Sequence, residues 1–499
     1  MTEPAGRMPA GIRPTMDLPG EHRFLRAATL LALALPWLWP FAPGPSPNVV
    51  PVLAAWCCWS AALVLSSWGG VPAAWAAPRA WVAAALASSL IGLLQWFGAA
   101  PHTSWISSAD IGQAYGNLRQ RNQFATLTAI GLAALVWCRP LRGRAWTAVA
   151  VALLAFANAA SASRTGAIEW VALLLLAAAW PGDRRQRVQW CAVGLILYMV
   201  ATFLLPLLLL QWRGVDAVNV LARATSELGC SSRKVLWSNV VELILERPWT
   251  GWGWGELDFA HFSTLYPGAR FCDILDNAHN LPLHLAVELG IPAAAVAIGL
   301  LVAIVWRAAP WREAESARQL AWCVLLVVGL HSLLEYPLWY GPFQVAAILC
   351  LQLLRPATAV VLTRGRIVMI AVSIIAAAGF IWADYQSVSQ AFLAPEQRWA
   401  DYRADPVRRA GHSVLFEPQL RFAELSVTPL SRANAVDVQR LARELLHYSP
   451  EPMVAERLIE SSLLVGDQET ATWAAARYRA AFPDAYQAWL QRQAGRAGS

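Results

Sequence analysis

The chain has 499 residues, of which 57% are hydrophobic and only 14% are charged, and its formal net charge is +7. Its mean hydropathy of +0.42 is far too high for an ordinary soluble domain. The composition therefore excludes a soluble protein and predicts a polytopic membrane protein.

Apolar runs recur along the chain and predict an all-α fold with about 11 transmembrane helices. A run of about 20 residues is long enough to cross the hydrocarbon core of a bilayer as a helix. The predicted spans, in chain order, are 24–41, 47–67, 78–97, 123–138, 144–160, 165–180, 188–210, 281–306, 319–335, 338–354 and 366–384.

The arginine distribution predicts which ends of the spans face the cytoplasm, because basic residues stay on that side during membrane insertion. The N-terminal tail carries several arginines and is therefore predicted to be cytoplasmic. Four links between even-numbered and odd-numbered spans also carry arginines: 139–144, 181–187, 307–318 and 355–366. The outer links APGPSP and EYPLWYG carry no basic residue. The pattern favours an odd number of spans and a C-terminal region outside the cytoplasm.

These features divide the chain into five predicted parts. They are a cytoplasmic tail, spans one to seven, a long outer loop, spans eight to eleven and an outer C-terminal helical domain: 1–23, 24–210, 211–280, 281–384 and 385–499. In the last part, paired helical patterns separated by a Gly-Asp break resemble a tetratricopeptide-like hairpin. A module of that kind usually binds protein.

The long outer loop contains a predicted amphipathic helix. In SSRKVLWSNVVELILERP the apolar residues have helical spacing, and Pro248 ends the pattern, so this helix is predicted to lie along the membrane surface. Cys230 and Cys272 lie in the same loop, where an oxidising compartment would permit a disulfide. Two unpaired thiols are an equal alternative, because pairing cannot be deduced from sequence alone.

Polar side chains also stand at the outer ends of predicted spans. The stretch AYGNLRQRNQFATL brings a run of amide and guanidinium groups, Gln120 and Asn122 among them, directly into span four. Such a run favours hydrogen bonding to a polyhydroxylic or anionic group, and helix capping is the alternative for one or two of its members. In SASRTGAIEW, Arg164 suits a phosphate group, because a guanidinium stays charged and donates to two oxygens. A structural pair with Glu169 is the alternative.

Arg233 and Lys234 begin the amphipathic helix of the outer loop. A solvated face is the usual explanation for such a pair, but a cationic helix end over the bilayer would equally suit a lipid diphosphate.

The stretch DILDNAHNLPLHL stands immediately before one of the most apolar runs of the chain. On a helix, Asp273, Asp276 and His279 would share a face and could bind a divalent metal. Alternatively Asp276 or Asn277 caps the next helix, and His279 points into an outer cavity. A neutral imidazole there can take a proton from a hydroxyl near pH 7.

Another histidine with a carboxylate near it in the sequence lies in GLHSLLEYPLWYGPF. His331 and Glu335 are four residues apart and are predicted to share a helix face at the outer end of their span. Pro337 ends that helix and leaves Tyr336 and Tyr340 in a short outer turn. A helix-end ion pair with interfacial tyrosines is the structural alternative.

The motifs GNLRQRNQFATL, SRTG, SSRKVLWSNVVELILERPWTGWGWGEL, DNAHNLPLHLAVELGIP and HSLLEYPLWY occur in one order over most of 110–345. This ordered set resembles the bacterial O-antigen ligase and polymerase superfamily. Within it, the chain looks most like the O-linked oligosaccharyltransferases that glycosylate pilins and other periplasmic proteins. One departure is Gln123, because many relatives have histidine at the matching position.

The resemblance implies transfer of a preassembled glycan from undecaprenyl diphosphate to a Ser or Thr hydroxyl, with inversion, at the periplasmic face of the inner membrane. It implies no metal, no other cofactor and no nucleic acid; the partners are the lipid-linked oligosaccharide, a pilin-like acceptor protein and membrane lipids. His279 matches the general base, and Arg164 and Arg233 match residues that hold the diphosphate. The candidate substrate contacts are Gln120, Asn122, Asn280, His331, Glu335 and Tyr336.

Three alternatives remain at this stage. An O-antigen ligase would use lipid A-core as its acceptor, and a repeat-unit polymerase would use another glycan. A transporter of lipid-linked sugars belongs to a different class, and it should place polar residues across the membrane midplane. The predicted polar clusters instead gather on one side.

Overall fold

The computed structural model of the chain describes residues 20–221, 229–356 and 362–497, and every regular element in these ranges is helical. Most of the predicted cytoplasmic tail, 1–19, lies outside the described residues. Helices α1 to α7 are Gly20–Leu38, Val49–Gly69, Ala73–Trp96, Arg121–Cys138, Arg144–Ser161, Arg164–Ala179 and Arg184–Arg213. Helices α8 to α14 are Arg233–Glu246, Leu257–Ser263, Leu281–Leu289, Ile291–Ala308, Ser316–Ser332, Gly341–Leu353 and Arg364–Ser389. Helices α15 to α20 are Pro406–Ala410, Glu417–Val427, Ala435–Leu445, Pro452–Val465, Gln468–Ala481 and Pro483–Ala497.

Within the described ranges, 6 helices are long and apolar enough to cross a membrane, namely α2, α3, α5, α7, α11 and α14. Helices α1, α4, α6, α12 and α13 coincide with the other predicted spans but are shorter or carry more polar residues. The prediction of a helical membrane protein is confirmed, and the count of 11 spans stays a prediction.

Helix α4 forms the centre of the membrane region. All of its residues from Asn122 to Trp137 are buried, because α3, α5, α6 and α12 pack around it. A helix that other elements enclose on every side belongs to the core of the fold. Its polar first turn is therefore held at one end of the bundle by the surrounding helices.

The predicted eighth span, 281–306, is wrong at its beginning, because it contains two separate helices, α10 and α11, with a break between them at Gly290. Gly290 has φ +86°, and a side chain there would overlap the carbonyl of Trp249. A side chain at Gly251 would likewise overlap the carbonyl of Glu288, because the two backbones are in close contact there. The glycine-rich stretch after α8 therefore packs directly on the end of α10, and only α11 keeps the length of a span.

Helices α8, α9 and α10 form a small subdomain with its own apolar core. The predicted amphipathic helix is α8, and it buries Leu236, Val240 and Leu243 against Leu257 and Val287. The core also includes Ala278, the residue immediately before His279. Packing of this subdomain therefore fixes the backbone next to the histidine.

The C-terminal helices α17 to α20 pack on one another in sequence order. Their core includes Phe262 from α9, which joins the C-terminal region to the outer-loop subdomain. His447 strengthens this contact, because its Nδ1 lies 2.7 Å from Glu256 Oε2 and its ring stacks on Phe259. The tetratricopeptide-like character of the region stays a prediction.

Candidate functional site

A cavity of about 470 Å³ lies where the first turns of α4, α6 and α8 meet the link between α12 and α13. Four arginines and two carboxylates contribute to its walls, so positive charge is in excess. The lining residues are Tyr115, Arg119, Gln120, Arg121, Asn122, Arg164, Thr165, Ser231, Arg233, Leu236, Phe271, Asp273, His279 and Glu335.

Three of these arginines occupy the first residue of a helix: Arg121 begins α4, Arg164 begins α6 and Arg233 begins α8. Each follows a capping residue whose side chain accepts a backbone N–H of the first turn, namely Gln120 from Gln123, Ser163 from Gly166 and Ser232 from Val235. A basic residue does not stabilise a helix N-terminus, because that end already carries partial positive charge. Three such ends around one cavity therefore favour an anionic ligand.

Glu335 connects the arginine cluster to His279. Its Oε1 accepts hydrogen bonds from Arg233 Nη2 at 2.7 Å and from Asn122 Nδ2 at 2.9 Å, and its Oε2 lies 2.6 Å from His279 Nδ1. Burial alone would raise the pKa of the Glu335 carboxyl, but the hydrogen bond from His279 and the charge of Arg233 hold this pKa below its ordinary value. Glu335 is therefore a carboxylate at neutral pH.

The backbone of His279 has a conformation that is rare outside glycine, with φ +49°. The backbone N–H of His279 donates to Asn277 Oδ1 at 2.8 Å, and Tyr336 packs edge-on against the ring at 5.2 Å between centroids. Such a conformation costs about 1–3 kcal/mol and persists where the surroundings enforce it, often at functional sites. Because Glu335 holds Nδ1, Nε2 is the ring nitrogen left for a ligand.

Two of the predicted substrate contacts serve as helix caps. Gln120 caps α4 and also lines the cavity. Asn280 caps α10 by accepting the N–H of Leu283, and its Nδ2 donates to the carbonyl of Leu333 at 3.1 Å. Asn280 therefore joins the turn that carries His279 to the link that carries Glu335.

Asn122 joins three segments of the site. Its Oδ1 accepts a hydrogen bond from Ser163 Oγ at 2.7 Å, while its Nδ2 donates to Glu335. Ser163 directly precedes Arg164, so the amide fixes α4 against α6 and against the link after α12 at once. The buried Asn122 thus positions charged residues that line the cavity.

His331 lies deeper than the cavity walls. Its side chain is fully buried, and its Nδ1 is 2.9 Å from Thr126 Oγ1. The regular part of α12 ends at Ser332, but the backbone N–H of Glu335 still donates to the carbonyl of His331 at 2.8 Å, so the two residues lie one turn apart. The side chain of Glu335 contacts Arg233 and His279.

Tyr336 borders His279, and its ring stacks on Tyr340 at 5.9 Å between centroids. Burial raises the pKa of the Tyr336 phenol, so Tyr336 is protonated at neutral pH.

The alternative of a metal site at Asp273, Asp276 and His279 depended on helical spacing, and 273–280 is not helical. In the part of the chain that the structure describes, no group of three or more His, Cys, Asp or Glu side chains is arranged to hold a metal ion. Cys230 and Cys272 form a disulfide with their Cα atoms 5.4 Å apart. This bond ties the start of α8 to the segment that carries Asp273.

Arg119 and Arg121 belong to the polar run that the sequence singles out, and both line the cavity, but neither was predicted to be a diphosphate or substrate contact. Both flank Gln120 in the polar run before span four. Arg121 Nη2 donates to the hydroxyl of Tyr115 at 3.2 Å, and its guanidinium lies 5.6 Å from the centre of that ring. The signal in the sequence was their position on either side of Gln120, which was a predicted substrate contact.

Three stretches of the chain match protein families. Residues 114–137 match "Protein glycosylation ligase", 148–298 match "O-Antigen ligase" and 319–496 match "Virulence factor membrane-bound polymerase, C-terminal". The first stretch contains Arg119 and Arg121, the second contains Arg164, Arg233 and His279, and the third contains Glu335. The residues that line the cavity are thus distributed over all three matches.

Two relatives come from Acinetobacter baylyi. A "General O-oligosaccharyltransferase" is 26% identical over 321 residues, which cover 61% of this chain and 55% of the relative. A "ComP-specific O-oligosaccharyltransferase" is 26% identical over 245 residues, which cover 48% of this chain and 43% of the relative. The chain thus spans about half the length of these relatives. The matches confirm the resemblance that the motifs indicate: the chain is similar to O-antigen ligases and to O-oligosaccharyltransferases.

Proposed function

We propose that the chain is an O-linked oligosaccharyltransferase. It moves a preassembled glycan from undecaprenyl diphosphate to a Ser or Thr hydroxyl of a periplasmic, pilin-like protein. The observation that carries this proposal is the pairing of His279 with Glu335 inside a cavity that has four arginines. The names of the two relatives support the same class of reaction.

His279 acts as the general base. Glu335 holds the Nδ1–H of the imidazole, so the lone pair on Nε2 takes the proton of the acceptor hydroxyl as its oxygen attacks the anomeric carbon. The imidazolium formed in this step lies beside the Glu335 carboxylate, which stabilises it. A single displacement of this kind inverts the anomeric carbon.

The arginines act on the leaving group. As the bond between the anomeric carbon and the diphosphate oxygen breaks, its electron pair passes to the lipid diphosphate. Arg119, Arg121, Arg164 and Arg233 surround the cavity, and fixed guanidinium groups stabilise charge that grows on phosphate oxygens. Arg233 also contacts Glu335, so the base and the leaving group are bound by one connected set of side chains.

The proposed enzyme is an inner-membrane protein with 11 spans and a cavity on the periplasmic face. The arginine distribution supports this orientation. In this arrangement the lipid carrier's diphosphate enters the cavity from the outer leaflet. The C-terminal helices lie on the same side, next to the outer-loop subdomain, and are proposed to contact the acceptor protein.

Two related functions, those of an O-antigen ligase and of a repeat-unit polymerase, differ from the proposed function only in the acceptor. The match to "O-Antigen ligase" favours transfer to lipid A-core, and the match to the polymerase C-terminal family favours extension of another glycan. Both relatives from Acinetobacter baylyi are named for O-oligosaccharyl transfer, and we therefore prefer a protein acceptor. A transporter of lipid-linked sugars would leave every acceptor unmodified.

The test is coexpression of the chain with a lipid-linked glycan and a pilin-type acceptor, followed by intact-mass measurement of the acceptor. We expect a mass shift equal to one glycan with the wild-type chain and no shift with His279→Ala. His412→Ala is the matched control, because that histidine is 94% exposed on the C-terminal region, and it should keep the full shift. Glycan found only on lipid A, or an unchanged shift with His279→Ala, would contradict the proposal.

A further inference from the structure

Three polar side chains meet inside the bundle below the cavity, and the proposed reaction does not use them. Thr126 Oγ1 lies 2.7 Å from Glu169 Oε1 and 2.9 Å from His331 Nδ1. All three side chains have 0% exposure, although each belongs to a different helix. We call Thr126, Glu169 and His331 the buried triad.

Each member of the buried triad lies one helical turn from a residue of the cavity wall. Thr126 follows Asn122 by four residues in α4, and Glu169 follows Thr165 by four residues in α6. His331 precedes Glu335 by four residues and ends the regular part of α12. The triad therefore links the same three segments that supply Asn122, Arg164 and Glu335, at the level immediately below them.

The surroundings of Glu169 disfavour a negative charge. Among the described residues Glu169 makes no ion pair, and its single hydrogen-bond partner is the hydroxyl of Thr126. An ionised carboxylate without a basic partner is expensive inside a membrane bundle. A carboxylic acid avoids this cost.

A neutral triad accounts for both contacts of Thr126 without a net charge, although His331 Nε2 and Glu169 Oε2 have no partner among the described residues. The Glu169 acid donates its proton to Thr126 Oγ1, and the Thr126 hydroxyl then donates to the lone pair on His331 Nδ1. The imidazole keeps its proton on Nε2 and stays neutral. The opposite direction, from the Nδ1–H of His331 through the Thr126 hydroxyl to Glu169 Oε1, is also neutral when the acid proton is on Oε2. Neither direction requires a carboxylate.

We propose that the buried triad is a positioning site, in which a protonated Glu169 holds Thr126 and His331 so that Asn122, Arg164 and Glu335 converge on the cavity. The members are positioning residues and touch no substrate. This inference rests on the proposed function for its effect on turnover, whereas the protonation state of Glu169 can be tested in the resting protein.

The first experiment is infrared difference spectroscopy of the purified full-length protein at neutral pH, wild type against Glu169→Gln. We expect the variant to lose a carboxylic-acid C=O band that is insensitive to raising the pH by two units. Glu335→Gln is the matched control, because Glu335 is paired with Arg233 and should contribute a carboxylate band instead. Loss of a carboxylate band from Glu169→Gln would overturn the proposal, whether or not the protein transfers glycan.

The second experiment separates positioning from simple stability. Glu169→Gln keeps the shape and one donor of the acid, so it should keep kcat within about threefold, while Glu169→Ala should lower kcat about tenfold or more at similar KM for the donor. Thermal unfolding of both variants, followed by tryptophan fluorescence, establishes that they are folded. Equal loss of kcat in both variants, or no loss in either, would overturn the proposal. Absence of transfer by the wild type would instead refute the proposed function.

Discussion

The most informative single change is Glu335→Gln. Glu335 accepts hydrogen bonds from Arg233 and Asn122 and holds His279 Nδ1 at 2.6 Å. Glutamine keeps the shape of the side chain but removes the charge that stabilises the imidazolium of His279. A hydrogen bond to a charged group contributes about 1.5–3 kcal/mol, and about 1.4 kcal/mol corresponds to a tenfold change in rate. We therefore expect kcat to fall about 10- to 100-fold.

The assay is single-turnover transfer from a lipid-diphosphate oligosaccharide to an acceptor peptide by purified protein. The matched control is Glu313→Gln, because Glu313 also accepts a hydrogen bond from an arginine, Arg318, at 2.7 Å, but at the opposite end of α12. The control should keep wild-type kcat. A kcat for Glu335→Gln within about threefold of wild type would refute the role given to the carboxylate.

Glu335 also predicts a pH dependence of stability. Its pKa is lower in the folded chain than its ordinary value, so it stabilises the fold at pH values above the pKa of the unfolded chain. That stabilisation is lost as the pH falls through the lower, folded pKa. The difference in Tm between wild type and Glu335→Gln should therefore be largest at neutral pH and should shrink on acidification. A difference that grows on acidification would contradict the direction of the shift.

Three further changes test other parts of the account. Arg121→Ala should raise KM for the donor about tenfold with a smaller change in kcat, because it removes a cationic contact for the diphosphate. Replacing both Cys230 and Cys272 by Ser should lower the free energy of unfolding by at most about 4 kcal/mol, the chain-entropy value for a separation of 42 residues, as measured by denaturation. Gly290→Ala should lower Tm, because at φ +86° its methyl group would overlap the backbone of Trp249.

Arg139→Ala removes an exposed arginine that is paired with Asp183, and it should leave KM for the donor unchanged. If KM is also unchanged in Arg121→Ala, the proposed contact between Arg121 and the diphosphate is contradicted. Gly299→Ala adds a methyl group with no atom within 4 Å and should leave Tm unchanged. An unchanged Tm for Gly290→Ala would contradict the close backbone approach. Retention of full stability in reducing agent would contradict a structural role for the disulfide.

Much of the helical arrangement was predictable, because long apolar runs determine where spans lie. The run 123–138 corresponds to Arg121–Cys138, and 144–160 corresponds to Arg144–Ser161. The break at Gly290 was not predictable, since the apolar run continues across it. The break depends on close contact with the backbone of residues 249–251, which lie about 40 positions earlier in the chain. Local hydrophobic periodicity does not reveal contacts between such distant residues.

The site was predictable in its members but not in its contacts. His279, Arg164 and Arg233 were identified from their residue types at membrane-surface positions, and the cavity includes all three. Glu335 was paired with His331 because the two are four residues apart, and one backbone turn does join them, but this spacing does not reveal contacts between distant segments. Its actual partners, Arg233 and His279, are separated from it by 102 and 56 residues.

The measurement that tests the central claim most directly is transfer by the purified chain in vesicles that contain a lipid-diphosphate oligosaccharide and an acceptor peptide. Free lipid diphosphate and glycopeptide are measured together, and donor binding is measured separately. We predict equal amounts of the two products from wild type, and no glycopeptide from His279→Ala although donor binding is retained. Glycopeptide formation at the wild-type rate by His279→Ala would contradict the account.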